Sequence, residues 1–163
     1  MHLINRELIE SVLEQARQSP RRRMNFNFHP SLDDNPHRFL NVMLEGTYVT
    51  PHRHRDPPKA EAFVVIEGEV ALIQFADSGE MLSAHRLGVG APAYGIDLEP
   101  GVWHSLVVLS EYAVVYEVKP GPYSPATDKE FAPWAPREGD PAAAAYLAQL
   151  RGNLGNIRFA GNV

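Results

Sequence analysis

The chain has 163 residues, with 15 Lys plus Arg against 20 Asp plus Glu, seven His and no Cys, for a formal net charge of −5. That length suits one domain able to bury a core and a ligand cavity, and 44% apolar with 21% charged residues excludes disordered, collagenous and membrane-type compositions. The acid excess argues against a nucleic-acid partner, and the lack of Cys excludes a disulfide scaffold, a thiol nucleophile and any thiolate metal site. Any metal must therefore be held by imidazole and carboxylate. The N-terminal residues show no apolar signal core, and nowhere do about 18 apolar residues run together. A cytoplasmic protein with no membrane contact is the expectation.

In chain order, the first predicted element is a helix over Arg6 to Gln18. Asn5 stands as its N-cap, Leu8, Ile9, Val12, Leu13 and Ala16 recur on one face, and Pro20 stops it. The apolar face suits docking on a sheet or on a second subunit, so a homodimer is one expectation and an internal docking site the other. Arg21 to Arg23 read as a solvated basic run. Arg23, Asn25, Asn27 and His29 then alternate with Met24, Phe26 and Phe28. This pattern fits an edge strand whose polar face is either solvated or lines a cavity mouth. Strand signals follow at Arg38 to Val49, Ala62 to Ile66, Glu69 to Phe75, Leu82 to Leu87, His104 to Leu109 and Tyr112 to Val118. Turn sequences such as Glu67-Gly68, Ser78-Gly79 and Pro100-Gly101 separate them. No helical period lies between residues 24 and 118, which favours an antiparallel sandwich or barrel over a parallel α/β fold. A Pro-rich tail over 119–163 is expected to wrap the barrel with Phe131 and Trp134 as anchors. It carries a short helix over Ala142 to Arg151, with Asp140 as N-cap, Pro141 at its first position and Gly152 just past its end. The chain divides into a helical arm (1–22), a β core (24–118) and this tail, all within one domain.

The segment richest in chemistry runs from Gly46 through His52-Arg53-His54 to Glu61 and Gly68. Residues i and i+2 of a strand share a face, so His52 and His54 can converge on one ion. Glu61 opens the next strand, and His104 opens another after Pro100-Gly101. Three imidazoles and a carboxylate leave positions open on a six-coordinate ion, as a catalytic site needs and a closed structural site lacks.

These residues resemble the two motifs of the cupin superfamily. Gly46, His52, His54, Glu61 and Gly68 keep the first motif's spacings except one, because six residues (Arg55 to Ala60) separate His54 from Glu61 where the pattern has three or four. The second motif keeps Gly101-x-x-His104, with Pro100 moved beside the glycine and Val108 where the pattern has Asn. The resemblance implies an all-β cupin jelly-roll barrel (double-stranded β-helix) with a short N-terminal helix and a C-terminal tail and helix. It implies one divalent metal ion held by His52, His54, Glu61 and His104, with Zn, Fe, Mn, Ni and Cu all compatible with the donor set. A narrower resemblance is carried by Arg23 to His29, the Arg38 strand, Pro51-His52-Arg53-His54 and Phe131-x-x-Trp134-x-Pro136. It is to WbuC-type cupin metalloproteins, small bacterial cupins associated with surface-polysaccharide gene clusters.

Two functions remain open on the sequence. One is a metalloenzyme acting on a small polar metabolite such as a sugar or sugar-nucleotide, and the other a metal-dependent small-molecule binding or regulatory protein without turnover. Asn25, Asn27 and Arg38 are the candidates to orient a substrate, and His29 and Tyr116 the candidates for proton transfer. Tyr48, Tyr94 and Trp103 read either as core or as cavity lining. His85, with no matching neighbour, reads as a surface residue.

Overall fold

The computed structural model describes residues 1–156; the last seven residues of the 119–163 tail lie outside the described residues. Helix α1 spans Arg6–Gln18, and the Asn5 side chain accepts a hydrogen bond from the Leu8 N–H at 3.0 Å, the expected cap. Ten strands follow: β1 Arg23–Asn27, β2 His37–Leu44, β3 His52–Arg53, β4 Glu61–Glu67, β5 Glu69–Phe75, β6 Met81–Gly88, β7 Gly95–Leu98, β8 Trp103–Val108, β9 Tyr112–Lys119 and β10 Glu130–Phe131. Helix α2 spans Ala143–Asn153. The strands form two five-stranded antiparallel sheets, ordered β1-β2-β9-β4-β7 and β10-β3-β8-β5-β6, packed as a jelly-roll sandwich.

Four layers explain the sequence pattern. The apolar side of α1 (Ile9, Val12, Leu13, Ala16) covers the outer face of the first sheet at Leu40, Val42, Leu44 and Val114. The tail and α2 cover the outer face of the second, where Ala132, Ala135, Leu147 and Leu150 pack on Ala71, Ile73, Phe75 and Val107. Between the sheets lies a third cluster that includes Met43, Val65, Leu72, Leu106, Val108 and Val115. Central strands are thus apolar on both faces and lose the simple alternation. Along each inner face, apolar residues give way to polar ones toward the same end of the sandwich: Val108, Leu106, His104 on β8; Val65, Phe63, Glu61 on β4; Val115, Glu117, Lys119 on β9. One end is core and the other is a cavity.

Several expectations change in detail. The Arg38 to Val49 strand stops at Leu44, because Gly46 turns the chain with φ +82°, a conformation that favours glycine. Strands β3, β7 and β10 are too short to leave a periodic signal. The last helix starts one residue later than predicted, with Ala142 as N-cap, and Gly152 lies inside it. Asp140 still satisfies a helix-start donor, accepting from the Ala142 N–H at 2.8 Å. Trp134 is an anchor as expected and lies against Gly79, where any Cβ would meet its ring. Phe131 is not: it stays 36% exposed beneath the Arg137 guanidinium, and the tail is pinned by buried Ala132 and Ala135 instead.

Leu40 is fully buried between α1 and the sheet. Leu40→Ala should cost about 2–5 kcal/mol in equilibrium urea unfolding, the usual range for a core truncation, without displacing the residues at the polar end.

Candidate metal centre

His52, His54, Glu61 and His104 come together at the cavity floor, each only 2–4% exposed. Strand pairing positions them. His52 on β3 is the register partner of His104 on β8. His54 follows β3, and its carbonyl accepts the Gly101 N–H at 2.9 Å, which ties the Pro100-Gly101 turn to the first histidine pair. Glu61 is the first residue of β4. One donor atom from each of the four residues falls within 4.8 Å of every other.

The hydrogen bonds determine which atoms those are. His52 Nδ1 donates to the Thr50 carbonyl at 2.9 Å, His104 Nδ1 to the Val102 carbonyl at 3.0 Å, and His54 Nδ1 to the Asp128 carbonyl. A carbonyl only accepts, so each Nδ1 carries the proton and each Nε2 of the neutral ring presents a lone pair. Glu61 Oε2 lies 3.2 Å from His54 Nε2 and 3.3 Å from His104 Nε2. These three buried atoms have no hydrogen-bond donor between them. Lone pairs facing each other at that distance repel unless a cation lies among them. Donors about 2.1 Å from an ion stand about 3.0 Å apart when adjacent and about 4.2 Å apart when opposite, so the spacing fits one coordinated ion.

Electrostatics agree. Burial raises the Glu61 carboxyl; N–H donation from His104 and His54, with the Lys119 ammonium, would hold it well below the usual carboxylate range, and with both Nε2 atoms bare a bound cation takes the place of those protons. Burial, with the Lys129 charge and the neighbouring His104 adding to it, holds His52 well below the ordinary imidazole value. Glu61 is therefore ionised and His52 neutral at neutral pH, as metal ligands must be.

A second set of residues holds the ligands in place. Asp128, whose backbone orients His54, binds Lys59 Nζ at 2.9 Å and Lys119 Nζ at 2.8 Å through its two carboxylate oxygens, and all three side chains are buried. Lys59 lies in the six-residue spacer between His54 and Glu61, two or three residues longer than the motif, and this longer loop supplies the contact. Lys59 also donates to the Pro122 carbonyl at 2.6 Å.

The cavity above the four residues has a volume of about 430 Å³. Asn25, Asn27 and His29 line it, the first two exposed at the mouth, so β1 is both an edge strand and cavity wall. His29 is stacked on His37 with ring centroids 4.0 Å apart. Two predicted residues are corrected. Arg38 points away from the cavity, toward Asp34 at 3.5 Å and the Pro36 carbonyl, because on β2 it is His37, Phe39 and Asn41 that face inward. Tyr116 packs on the α1 side of the first sheet, near Phe28, so it cannot transfer a proton in the cavity. Its neighbour Glu117 faces inward, takes a 2.7 Å hydrogen bond from Asn41 Nδ2, and has its carboxyl pushed up to about 7 by burial and the nearby Glu61 charge. Tyr48, Tyr94 and Trp103 do not line the cavity: Tyr48 donates to the Pro136 carbonyl, Trp103 to Asp77, and Tyr94 is exposed. His85 lies on β6, away from the four, with its Nε2 3.2 Å from Ser83 Oγ. Glu117, Asn41, Lys119 and Lys129 are lining residues that sequence reading missed; a polar residue at i±2 from an apolar inward position was the available signal.

Two outcomes follow. Asp128→Asn leaves Lys59 and Lys119 buried without their counter-charge, and should lower stability by about 3–5 kcal/mol in urea unfolding. Burial, then the charge of His29, also holds His37 below the ordinary imidazole value. Below about pH 6.5 the unfolded chain therefore binds protons at His37 and His52 that the folded chain refuses, and stability falls with pH. Chelator-treated protein should show a falling thermal midpoint from about pH 7.5 to 5.5, with a shallower slope in His37→Gln.

Solved structures share this fold. The capsular polysaccharide assembling protein CapF from Staphylococcus aureus superposes with a TM-score of 0.57 at 18% identity, over 69% of this chain and 32% of CapF. A conserved Klebsiella pneumoniae protein with a double-stranded β-helix domain gives 0.54 at 14% identity, over 81% of this chain and 97% of that one. A Shewanella oneidensis protein gives 0.50 at 13% identity, over 86% and 84%. The chain thus spans about a third of the CapF chains it matches and nearly the whole of the Klebsiella protein. No curated protein matches it. The family model described as "Domain of unknown function (DUF6016)" matches residues 4–87, more than half of the sequence, and the chain, with its jelly-roll fold and buried His/Glu cluster, belongs to that family.

Proposed function

We propose that the chain is a divalent-metal-binding cupin that acts as a metalloenzyme on a small polar metabolite. The observation that carries this is the convergence of His52, His54, Glu61 and His104 on one small volume, with His54 Nε2, His104 Nε2 and Glu61 Oε2 buried and without a hydrogen-bond donor. His52, His54, Glu61 and His104 hold the ion, and the rest of the chain works with them as one domain. A bound divalent ion supplies Lewis-acid polarisation or oxygen activation at its open positions.

The chain's own residues do the rest. Asn25 and Asn27 meet the ligand at the mouth, and the walls of Phe39, Phe63 and Leu106 exclude water around it. Glu117, poised near neutrality against Asn41, is the group placed to hold or move a proton inside the cavity. Such a group in a lined cavity favours turnover over a binding or regulatory role. The WbuC-type resemblance supports a role in surface-polysaccharide metabolism, with a sugar or sugar-nucleotide as substrate, in the cytoplasm. Docking of α1 on its own sheet occupies the apolar face that would otherwise invite a homodimer.

Elemental analysis of protein purified without chelator tests the metal reading. It should find about one divalent ion per chain, lost in His104→Ala while the variant stays folded. Wild-type protein that is folded, metal-free and cannot be loaded would contradict it.

A further inference from the structure

The cavity carries a charge opposite to that of the chain. Its walls contain Arg21, Arg23, Lys119 and Lys129 against Glu61 and Glu117. With the buried or wall-side partners Lys59, Asp128 and Glu138 included, five cations face four carboxylates. One positive charge is in excess, and three once a divalent ion is bound, in a chain whose net charge is −5.

The cations differ in what they are free to do. Arg21 Nε lies 2.8 Å from Glu138, and Arg23 binds both Glu138 at 2.6 Å and the Tyr48 carbonyl at 2.9 Å. Lys119 is held by Asp128. Lys129, just before the β10 segment that pairs with β3, makes no hydrogen bond or ion pair among the described residues. Its ammonium is the one cation of the wall without a direct counter-ion. A second unmatched group points to the other half of the ligand. Asn41 is 9% exposed, its Nδ2 donates to Glu117, and its Oδ1 is therefore a fixed acceptor, buried with no donor. An acceptor in that state requires an O–H or N–H from whatever fills the cavity.

Building on the metal reading above, we propose that the ligand is a small polyhydroxylated carboxylate, its carboxylate against Lys129 and a hydroxyl donating to Asn41 Oδ1. A carboxylate suits this wall better than a phosphate ester. Phosphate recognition favours arginine forks or runs of backbone N–H groups, and both arginine forks here are committed to Glu138. A single lysine offers a point charge, enough for one carboxylate. The volume of about 430 Å³ suits a molecule of sugar-acid size.

The test is calorimetric titration of the full chain carrying the ion it is purified with, using D-gluconate, D-sorbitol and D-glucose 6-phosphate, with ion content measured before and after. Gluconate should bind at least tenfold more tightly than sorbitol, which keeps the C2–C6 hydroxyl pattern and replaces the carboxylate with a neutral C1 hydroxyl. K129M should lose that preference and keep its ion. Equal affinities for gluconate and sorbitol, no binding of either to ion-loaded protein, or an unchanged preference in K129M each overturn the proposal. Tighter binding of the phosphate ester overturns the choice of carboxylate. If K129M does not fold, the wild-type comparison of gluconate with sorbitol decides alone. A chain that takes up no ion overturns the metal reading and this proposal with it, whereas a chain that takes up its ion and ignores charge overturns this proposal only.

Discussion

Three imidazole N–H groups bonded to three backbone carbonyls organise the polar end of this protein. Because the Thr50, Val102 and Asp128 carbonyls accept from Nδ1, the opposite nitrogens of His52, His104 and His54 have no proton to give and point at one small volume with Glu61. Such an arrangement is costly in a buried site unless a cation occupies it, since unpaired lone pairs and a carboxylate are taken out of water together. The backbone geometry around it serves that end. The Gly101 turn is bonded to His54, β3 is paired to β8 and to β10, and the Asp128 loop is clamped by two lysines. Hydrogen bonds from the far nitrogen of each ring to a backbone carbonyl fix ring orientation and raise ligand basicity.

The layered fold makes this possible in a chain of modest length. The helix on one outer face and the Pro-rich tail with α2 on the other bury apolar surface of both sheets, so the inner faces need not all be apolar. The inter-sheet core fills one end, and β2, β4, β8 and β9 each turn polar at the other. The result is a cavity walled by rigid strands, as a site of defined geometry requires. Its cationic excess against an acidic chain concentrates field at the mouth and favours small anions over neutral solutes.

How much of this could be read from the sequence depends on the period of the signal. His52 and His54 share a face by strand alternation, and the spacings to Glu61, Gly68 and Gly101-x-x-His104 identify the ligand set. The helix at Arg6–Gln18 follows from its cap and its apolar stripe. Arg38 and Tyr116 were misplaced because β2 and β9 are covered on both sides, so apolar residues no longer mark which parity faces inward. Reading the inward set as His37, Phe39, Asn41 and as Val115, Glu117, Lys119 required the pairing register. Lys59 and Asp128 meet across 69 positions of sequence, and no local pattern encodes such a contact. Phe131 failed as an anchor for a similar reason: its strand is two residues long at the sheet edge, so although it shares a face with its register partner His52, with ring centroids 6.2 Å apart, it stays 36% exposed.

The central claim is the tautomeric state of three rings, and nitrogen-15 NMR of histidine-labelled protein reads it directly. In chelator-treated protein at neutral pH, His52, His54 and His104 should carry the proton on Nδ1, the minority form of free histidine, and one equivalent of Zn(II) should move their Nε2 resonances while the Nδ1–H signals persist. Protonation on Nε2 in these three residues, or resonances unmoved by the metal, would contradict the account.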